Sequence, residues 1–325
     1  MGARTGVVGG LVLLFASAEL VWAAPAAPEL GGSKWRPVSE WAWPAGRGEA
    51  ELGLRADGEE SPAEGPAALV YLGDELVVVD GVNRRLLRIR PDGRRRWVPW
   101  ARAKSTRALV ALGSALAGYD ALGDRVVVLE DDAEVAEVEA PRDGLLRLEG
   151  TDDGALVLRG RAGGARLRLL ADGPPDAKSR RRRFGVEGRF VGRGLVHHWG
   201  QRALEVRRSG DQFRLVALDP VDEVRVLSEV TLLAPKSGRI LAASLIGSDR
   251  SGRSFVRLEL ETAKDPLRVH RLIRIYDPRF QLEDELTLPT GPWAPNQDVA
   301  VHPQGELAIL LPGADRTHLV RLRPR

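Results

Sequence analysis

The stretch from Ala67 to Trp100, AALVYLGDELVVVDGVNRRLLRIRPDGRRRWVPW, constrains this chain most, because it holds four strand candidates in a row and then recurs. Leu76, Val78 and Asp80 alternate with Val77 and Val79 in a β-branched run bounded by Gly73 and Gly81, which reads as a buried strand. Gly81 to Asn83 turns the chain, Leu86 to Ile89 is the next strand, Pro91, Asp92 and Gly93 form a second turn, and Trp97 to Trp100 is the fourth strand. Shifted by 40 positions, Leu69, Gly73, Leu76, Asp80, Arg85, Ile89 and Asp92 become Leu109, Gly113, Leu116, Asp120, Arg125, Leu129 and Asp132. A further shift keeps Leu156, Gly160, Leu169, Asp172 and Gly173 in step. Four strands per repeat of this length mark β-propeller blades. Such a small sheet cannot bury both faces alone, so neighbours must stack, and a ring closes the stack.

The expected fold is therefore all-β, a propeller of six blades with four antiparallel strands each. The first spans about residues 66 to 102, the second 105 to 141, and the third begins at Asp143, its outer strand displaced by an insertion at Pro174 to Arg183. The fourth runs from Gly188 to Leu233. The fifth, Arg239 to Thr290, has a long hairpin at Glu261 to His270, and the sixth is Asn296 to Pro324. Residues Ala45 to Glu60 leave room for a degenerate seventh. Near the C-terminus LVRL (Leu319 to Leu322) matches the third strand LLRI (Leu86 to Ile89), and no fourth strand follows. The tryptophan segment KWRPVSEWAWP, Lys34 to Pro44, resembles RRRWVPW (Arg94 to Trp100) and is expected to supply that missing outer strand, tying both ends down.

Three segments follow along the chain. Residues 1–23 read as a secretory signal peptide, with Arg4, an apolar core from Val7 to Ala18 and a small-residue site at Val21, Trp22 and Ala23. Cleavage after Ala18 and an uncleaved anchor are the alternatives. Residues 24–65 hold the closing strand and a linker with one weak strand at Glu51 to Arg55, and residues 66–325 form the propeller. Export to the periplasm or beyond the cell is the expected localisation. With 48 basic and 45 acidic side chains, the net charge of +3 points to no particular partner. Cysteine is absent, so there are no disulfides and no thiolate chemistry.

Within the first blade, ELVVVDGVNRRLLRIRPDG resembles an NHL-type repeat, with Asp80, Asn83 and Arg84 in the usual positions, and the last blade is similar to the first half of that repeat. The resemblance implies a propeller, an architecture that hosts enzymes and binding platforms alike. Glu64, Gly65 and Pro66, with Pro295 and Asn296, also resemble the EGP-like and PNG-like motifs of gluconolactonase and regucalcin-like six-bladed propellers. That resemblance implies that Glu64 and Asn296 would be ligands of Ca²⁺ or a similar hard cation, polarising a lactone carbonyl. Gln297 replaces the motif's glycine, and Leu311 stands where the family has an Asp.

Other candidate sites come from spacing. Three residues before the turn glycines Gly154, Gly200, Gly252 and Gly305 stand Thr151, His197, Asp249 and His302. His197, Asp249 and His302 are potential metal ligands on adjacent blades. The same positions suit residues that start a turn by hydrogen bonding to the backbone. The run KSRRRR, with Lys178, Arg180, Arg181, Arg182 and Arg183, would suit a cell-envelope polyanion or a solvated loop. Only Phe184 follows it, so base stacking and specific nucleic-acid recognition are not indicated. Trp35, Trp41, Trp43, Trp97 and Trp100 are expected to fill spaces between blades. No nucleophile elbow, HExxH or phosphate-cradling glycine loop occurs. The expected function is a non-enzymatic interaction platform for an unidentified protein or polyanion, without a required cofactor, its loops at Asp80 to Arg84, Asp120 to Asp124 and Asp211 to Phe213 sharing one face. The alternative is a metal-dependent, lactonase-like hydrolase.

Overall fold

The computed structural model describes residues 34–54, 64–141, 144–145, 147–151, 154–160, 164–169, 184–190, 203–219, 225–234, 238–264, 267–289, 297–313 and 315–325. The strands in chain order open with β1 (Trp35–Pro44). The first blade is β2 (Ala68–Leu72), β3 (Glu75–Asp80), β4 (Arg85–Ile89) and β5 (Arg95–Pro99). After a short 3-10 helix at Ala101–Lys104 comes the second, β6 (Thr106–Leu112), β7 (Ala115–Asp120), β8 (Arg125–Glu130) and β9 (Ala133–Glu139). The third is β10 (Arg147–Gly150), β11 (Ala155–Arg159), β12 (Gly164–Leu169) and β13 (Phe184–Phe190). The fourth shows three strands among the described residues, β14 (Ala203–Ser209), β15 (Gln212–Leu218) and β16 (Val226–Leu232). The fifth is β17 (Arg239–Ser248), β18 (Ser254–Lys264), β19 (Leu267–Tyr276) and β20 (Leu282–Leu288). In the sixth, β21 (Val299–Val301), β22 (Leu307–Pro312) and β23 (Arg316–Pro324) are completed by β1. The chain is a six-bladed β-propeller.

Alternation explains how one blade packs. Leu76 and Val78 on β3 pack in one cluster with Trp43, Leu310 and Leu319 of blade six, whereas Val77 and Val79 join Trp100, Leu109 and Leu116 towards blade two. All four β3 side chains are fully buried, each stabilising the ring by roughly 1.5–3 kcal/mol relative to exposure. A blade is thus apolar on both faces because it has a neighbour on both. The repeat is also visible in the turns. Gly73 and Gly113 adopt φ of +58° and +62° between the paired residues Leu72 and Glu75, and Leu112 and Ala115. These two-residue hairpin turns need positive φ, which glycine adopts without strain. Arg84 and Asp124, 40 positions apart, are likewise left-handed, with φ of +53° and +48°.

Closure follows the expected route. β1 runs antiparallel to β23, with Trp41 opposite Leu319 and Trp43 opposite Thr317. Trp43 is 2% exposed and Trp35 6%, so the tryptophans that begin the described chain sit in the seams. Trp100 enters its seam because Gly118 has no side chain: a Cβ there would lie 2.7 Å from Trp100 Cη2.

Two segments depart from expectation. Residues 188–190 belong to β13, the outer strand of blade three, and not to blade four. The long hairpin expected at Glu261 to His270 is present, since β18 and β19 keep pairing out to Lys264 and Leu267. The weak strand expected from Glu51 is instead an irregular strap across blade one, and residues 45–54 contribute to no seventh sheet. Its polar groups find their partners in the β3–β4 turn. Arg85 donates to the carbonyls of Gly48, Glu49 and Glu51, Asn83 Nδ2 to those of Gly46 and Glu51, and Gly53 N–H donates to Asp80. Leu52, within the strap, is fully buried.

Candidate functional site at the central channel

In the blades whose four strands are described, the first strand lies nearest the axis and has only one sheet neighbour, so its free edge presents backbone N–H and C=O groups to the channel. Where the inner strands begin, Gln297 satisfies several of them. Its carbonyl accepts from Leu69 N–H in blade one, its Oε1 accepts from Leu109 N–H in blade two, and its Nε2 donates to Leu109 O at 2.9 Å. One residue of blade six thereby spans three blades.

The channel holds a cavity of about 770 Å³. Aliphatic residues such as Val70, Val110, Ile246 and Val301 line it, together with Arg107, Arg147, Arg250 and Arg257. Among the described lining residues the carboxylates are Glu149 and Asp298, and both face arginine. Arg147 Nε lies 2.5 Å from Glu149 Oε1. Asp298, 3% exposed, takes Arg257 at 2.9 Å and Arg271 at 3.1 Å. Burial pulls the Arg147 guanidinium below its ordinary pKa, against the opposing charges of Glu149 and Glu205. It remains a cation at any working pH, since an arginine titrates far above neutrality. At the end where the inner strands finish, Ser248 is 6% exposed and its Oγ has no hydrogen-bond partner. Tyr71, also on the wall, has its phenol pushed up to about 12, chiefly by burial.

The residues aligned by turn glycines occupy one recurring turn. Thr151, Asp249 and His302 each accept from the N–H of Gly154, Gly252 and Gly305 and donate to the carbonyls of Ala155, Arg253 and Glu306. Their side chains are spent locally. Asp249 Oδ1 accepts from Ser251 Oγ and Arg253 N–H, while Oδ2 pairs with Arg253 at 2.7 Å. His302 Nδ1 accepts from Gln304 N–H, and its Nε2 lies 3.0 Å from Asp74 Oδ1. His197 lies outside the described residues, as do Asn296 and the basic run from Lys178 to Arg183. Glu64 is half-buried and is not one of the residues lining the cavity. Among the described residues no three His, Asp or Glu side chains converge as a metal site.

Of the face proposed for partner binding, the blade-one turn is covered by the strap, whereas Leu122 in the blade-two turn is 84% exposed and Asp211 in the blade-four turn is exposed. Sequence reading did not single out Arg147, Glu149, Ser248 or Asp298. For Arg147 a signal existed, because it stands 40 positions after Arg107 at the start of an inner strand. Ser248 carries no such mark, since its burial depends on how β17 meets β18.

No helix among the described residues is long and apolar enough to cross a membrane. No protein-family model and no curated protein matches the chain. Similar solved structures include the hydrazine synthase of Kuenenia stuttgartiensis, 11% identical over 79% of this chain and 80% of that one, with a TM-score of 0.47. A gluconolactonase of Xanthomonas campestris is 15% identical over 79% and 86%, with a TM-score of 0.45. A calcium-binding regucalcin of Agrobacterium tumefaciens is 12% identical over 80% and 91%, with a TM-score of 0.43.

Proposed function

We propose that the chain is exported through residues 1–23 and serves, in the periplasm or outside the cell, as a non-enzymatic interaction platform. The observation that carries this reading is the pairing of both described channel carboxylates, Glu149 and Asp298, with arginine. A carboxylate held by a buried guanidinium is a poor general base and a poor cation ligand, because either role breaks the pair, and breaking a buried pair costs about 3–5 kcal/mol. Platform contacts then fall to the exposed turns around Leu122 and Asp211, with Lys178 to Arg183 as the element that would hold a cell-envelope polyanion. A photo-crosslinker at Leu122 or Asp211 should capture a discrete partner in cells, and one at Ser114, in a turn on the opposite face, should not. Fractionation with and without residues 1–23 tests export.

The second reading, a metal-dependent lactonase-like hydrolase, is favoured by the motif resemblance at Glu64 and Asn296. Melting with Ca²⁺, Mn²⁺ and Zn²⁺ separates the two, since a cation at a hundred times its Kd stabilises by about 2.7 kcal/mol. A clear upward shift together with lactone hydrolysis would overturn the platform.

A further inference from the structure

We propose that the outer rim between blades six and one binds an acidic polysaccharide through Trp41, Arg90 and Arg95. The inference goes beyond the platform reading, since it needs neither the turns around Leu122 and Asp211 nor the run from Lys178 to Arg183.

Position is the first ground. β1 and β5 are the outer strands of blades six and one, and Trp41 on β1 packs half-buried against the cluster that holds Leu76 and Leu87 of blade one. Arg95 on β5 reaches back over Trp43, its guanidinium carbon 5.9 Å from the ring centroid. The turn between β4 and β5 comes down on Trp41, where a Cβ at Gly93 would lie 3.8 Å from Trp41 Nε1. Arg90 flanks that turn, its carbonyl accepting from Gly93 N–H and its N–H donating to Arg94 O.

Availability is the second ground. The Trp41 indole N–H makes no hydrogen bond to a described residue and, unlike the buried unpaired atoms of the fold, keeps contact with solvent. Around it the carboxylates are taken: Asp92 pairs with Arg94, Glu75 with Arg88, and Asp132 with both Arg88 and Arg96. Arg90 and Arg95 are exposed, and neither forms an ion pair among the described residues. Chemistry is the third ground. Guanidinium forks bind carboxylates bidentately, and an indole offers an apolar ring with one donor at its edge. A chain of uronic acid sugars carries both counterparts, a carboxylate on each ring and hydroxyls that accept from the N–H. Trp41 is half-buried in the seam, whereas base stacking needs an open ring face.

The test titrates the full chain with a galacturonic acid hexasaccharide by calorimetry at two sodium chloride concentrations. A neutral glucose hexasaccharide, a hexaglutamate peptide and a DNA hexamer serve as comparisons. The uronate should bind, more weakly at the higher salt, and more tightly than all three. Arg90→Gln and Arg95→Gln should each weaken it about three- to fivefold, as exposed charge contacts do, while Arg279→Gln on an exposed turn of blade five should not. Trp41→Phe keeps an aromatic ring and the net charge, so a several-fold loss there reads the N–H and not the field. Replacing Arg180 to Arg183 with Ser should leave rim binding intact. No uronate binding, equal binding of hexaglutamate or DNA, or unchanged affinity in Trp41→Phe overturns the proposal. So does a loss that follows Arg180 to Arg183 and spares the rim variants.

Discussion

His302 of blade six and Asp74 of blade one meet across the seam, with Nε2 3.0 Å from Oδ1. The tautomer follows from the other ring nitrogen. Nδ1 accepts from Gln304 N–H, so the neutral ring carries its proton on Nε2 and donates it to Asp74. Tyr71 stands edge-on to the same ring at 4.8 Å. The His302 side chain is 7% exposed and that of Asp74 74%, so packing and the turn account for more of this contact than charge does. We expect Asp74→Ala to cost less than about 1 kcal/mol and His302→Ala roughly 1–3 kcal/mol. A double-mutant cycle in urea checks this, and a coupling above the Asp74 value would show the pair to be stronger than its exposure allows.

Trp43 should be the costliest single truncation in the closing strand. It is 2% exposed and packs among Leu69, Leu76 and Leu310. Trp43→Ala should lose about 3–5 kcal/mol, read as a lower denaturation midpoint. Trp41, only half-buried, should lose clearly less.

Gly150 is irreplaceable for a different reason. A Cβ there would lie 1.7 Å from the carbonyl oxygen of Ala111 on the neighbouring blade. Because the obstacle is backbone, no rotamer relieves it, and Gly150→Ala should cost about 3 kcal/mol or more by thermal melting. Gly113→Ala meets no atom within 4 Å, and its cost should come from its φ of +62° alone, about 1–2 kcal/mol.

The strap over blade one depends on Asp80, whose side chain is fully buried and holds Gly53 N–H, Asn83 and Arg85. Asp80→Ala leaves Arg85 unpaired beneath the strap and should cost about 3–5 kcal/mol. Limited proteolysis should then cut within residues 45–54 while the parent chain resists there. Equal resistance would mean that Leu52 and the bonds from Arg85 and Asn83 hold the segment without Asp80.

Acid should weaken the fold through Asp120 and Glu306. Burial raises the Asp120 pKa, but Ser105, Gly123 N–H, Arg102 and Leu122 N–H outweigh it and hold the carboxyl below its ordinary value. For Glu306 burial is likewise outweighed, by Arg321 and Arg323. A depressed folded pKa gives stability that is whole above the unfolded value, about 4, and is lost as pH falls through the lowered one. The melting temperature attributable to these groups should hold from neutrality to about pH 5 and fall below about pH 4. Asp120→Asn should be less stable than the parent at pH 7, with the gap narrowing in acid.

Particular residues show how much was legible in advance. The alternation of Leu76 to Asp80 and the step from Gly73 to Gly113 mark strands and turns because side-chain direction and positive φ are local properties. Even the closing role of Trp35 to Trp43 was readable, since a third strand without a fourth must find an outer neighbour. The strap was not, because nothing local in residues 45–54 says that Arg85 will take three of its carbonyls. Nor was the pairing of Asp298 with Arg257 and Arg271, which are separated from it by 41 and 27 positions.

By itself the order of residues determined that small four-stranded sheets repeat, that both faces of each are apolar, and that they must stack. It did so because hydrophobic alternation and turn chemistry act over a few residues and repeat with the sheet. Tertiary structure alone decided which side chains reach the axis, which carboxylates arginines neutralise there, and which hydroxyl is left without a partner. Those outcomes depend on how one blade is rotated against the next, and that rotation is fixed by packing between segments far apart in the chain.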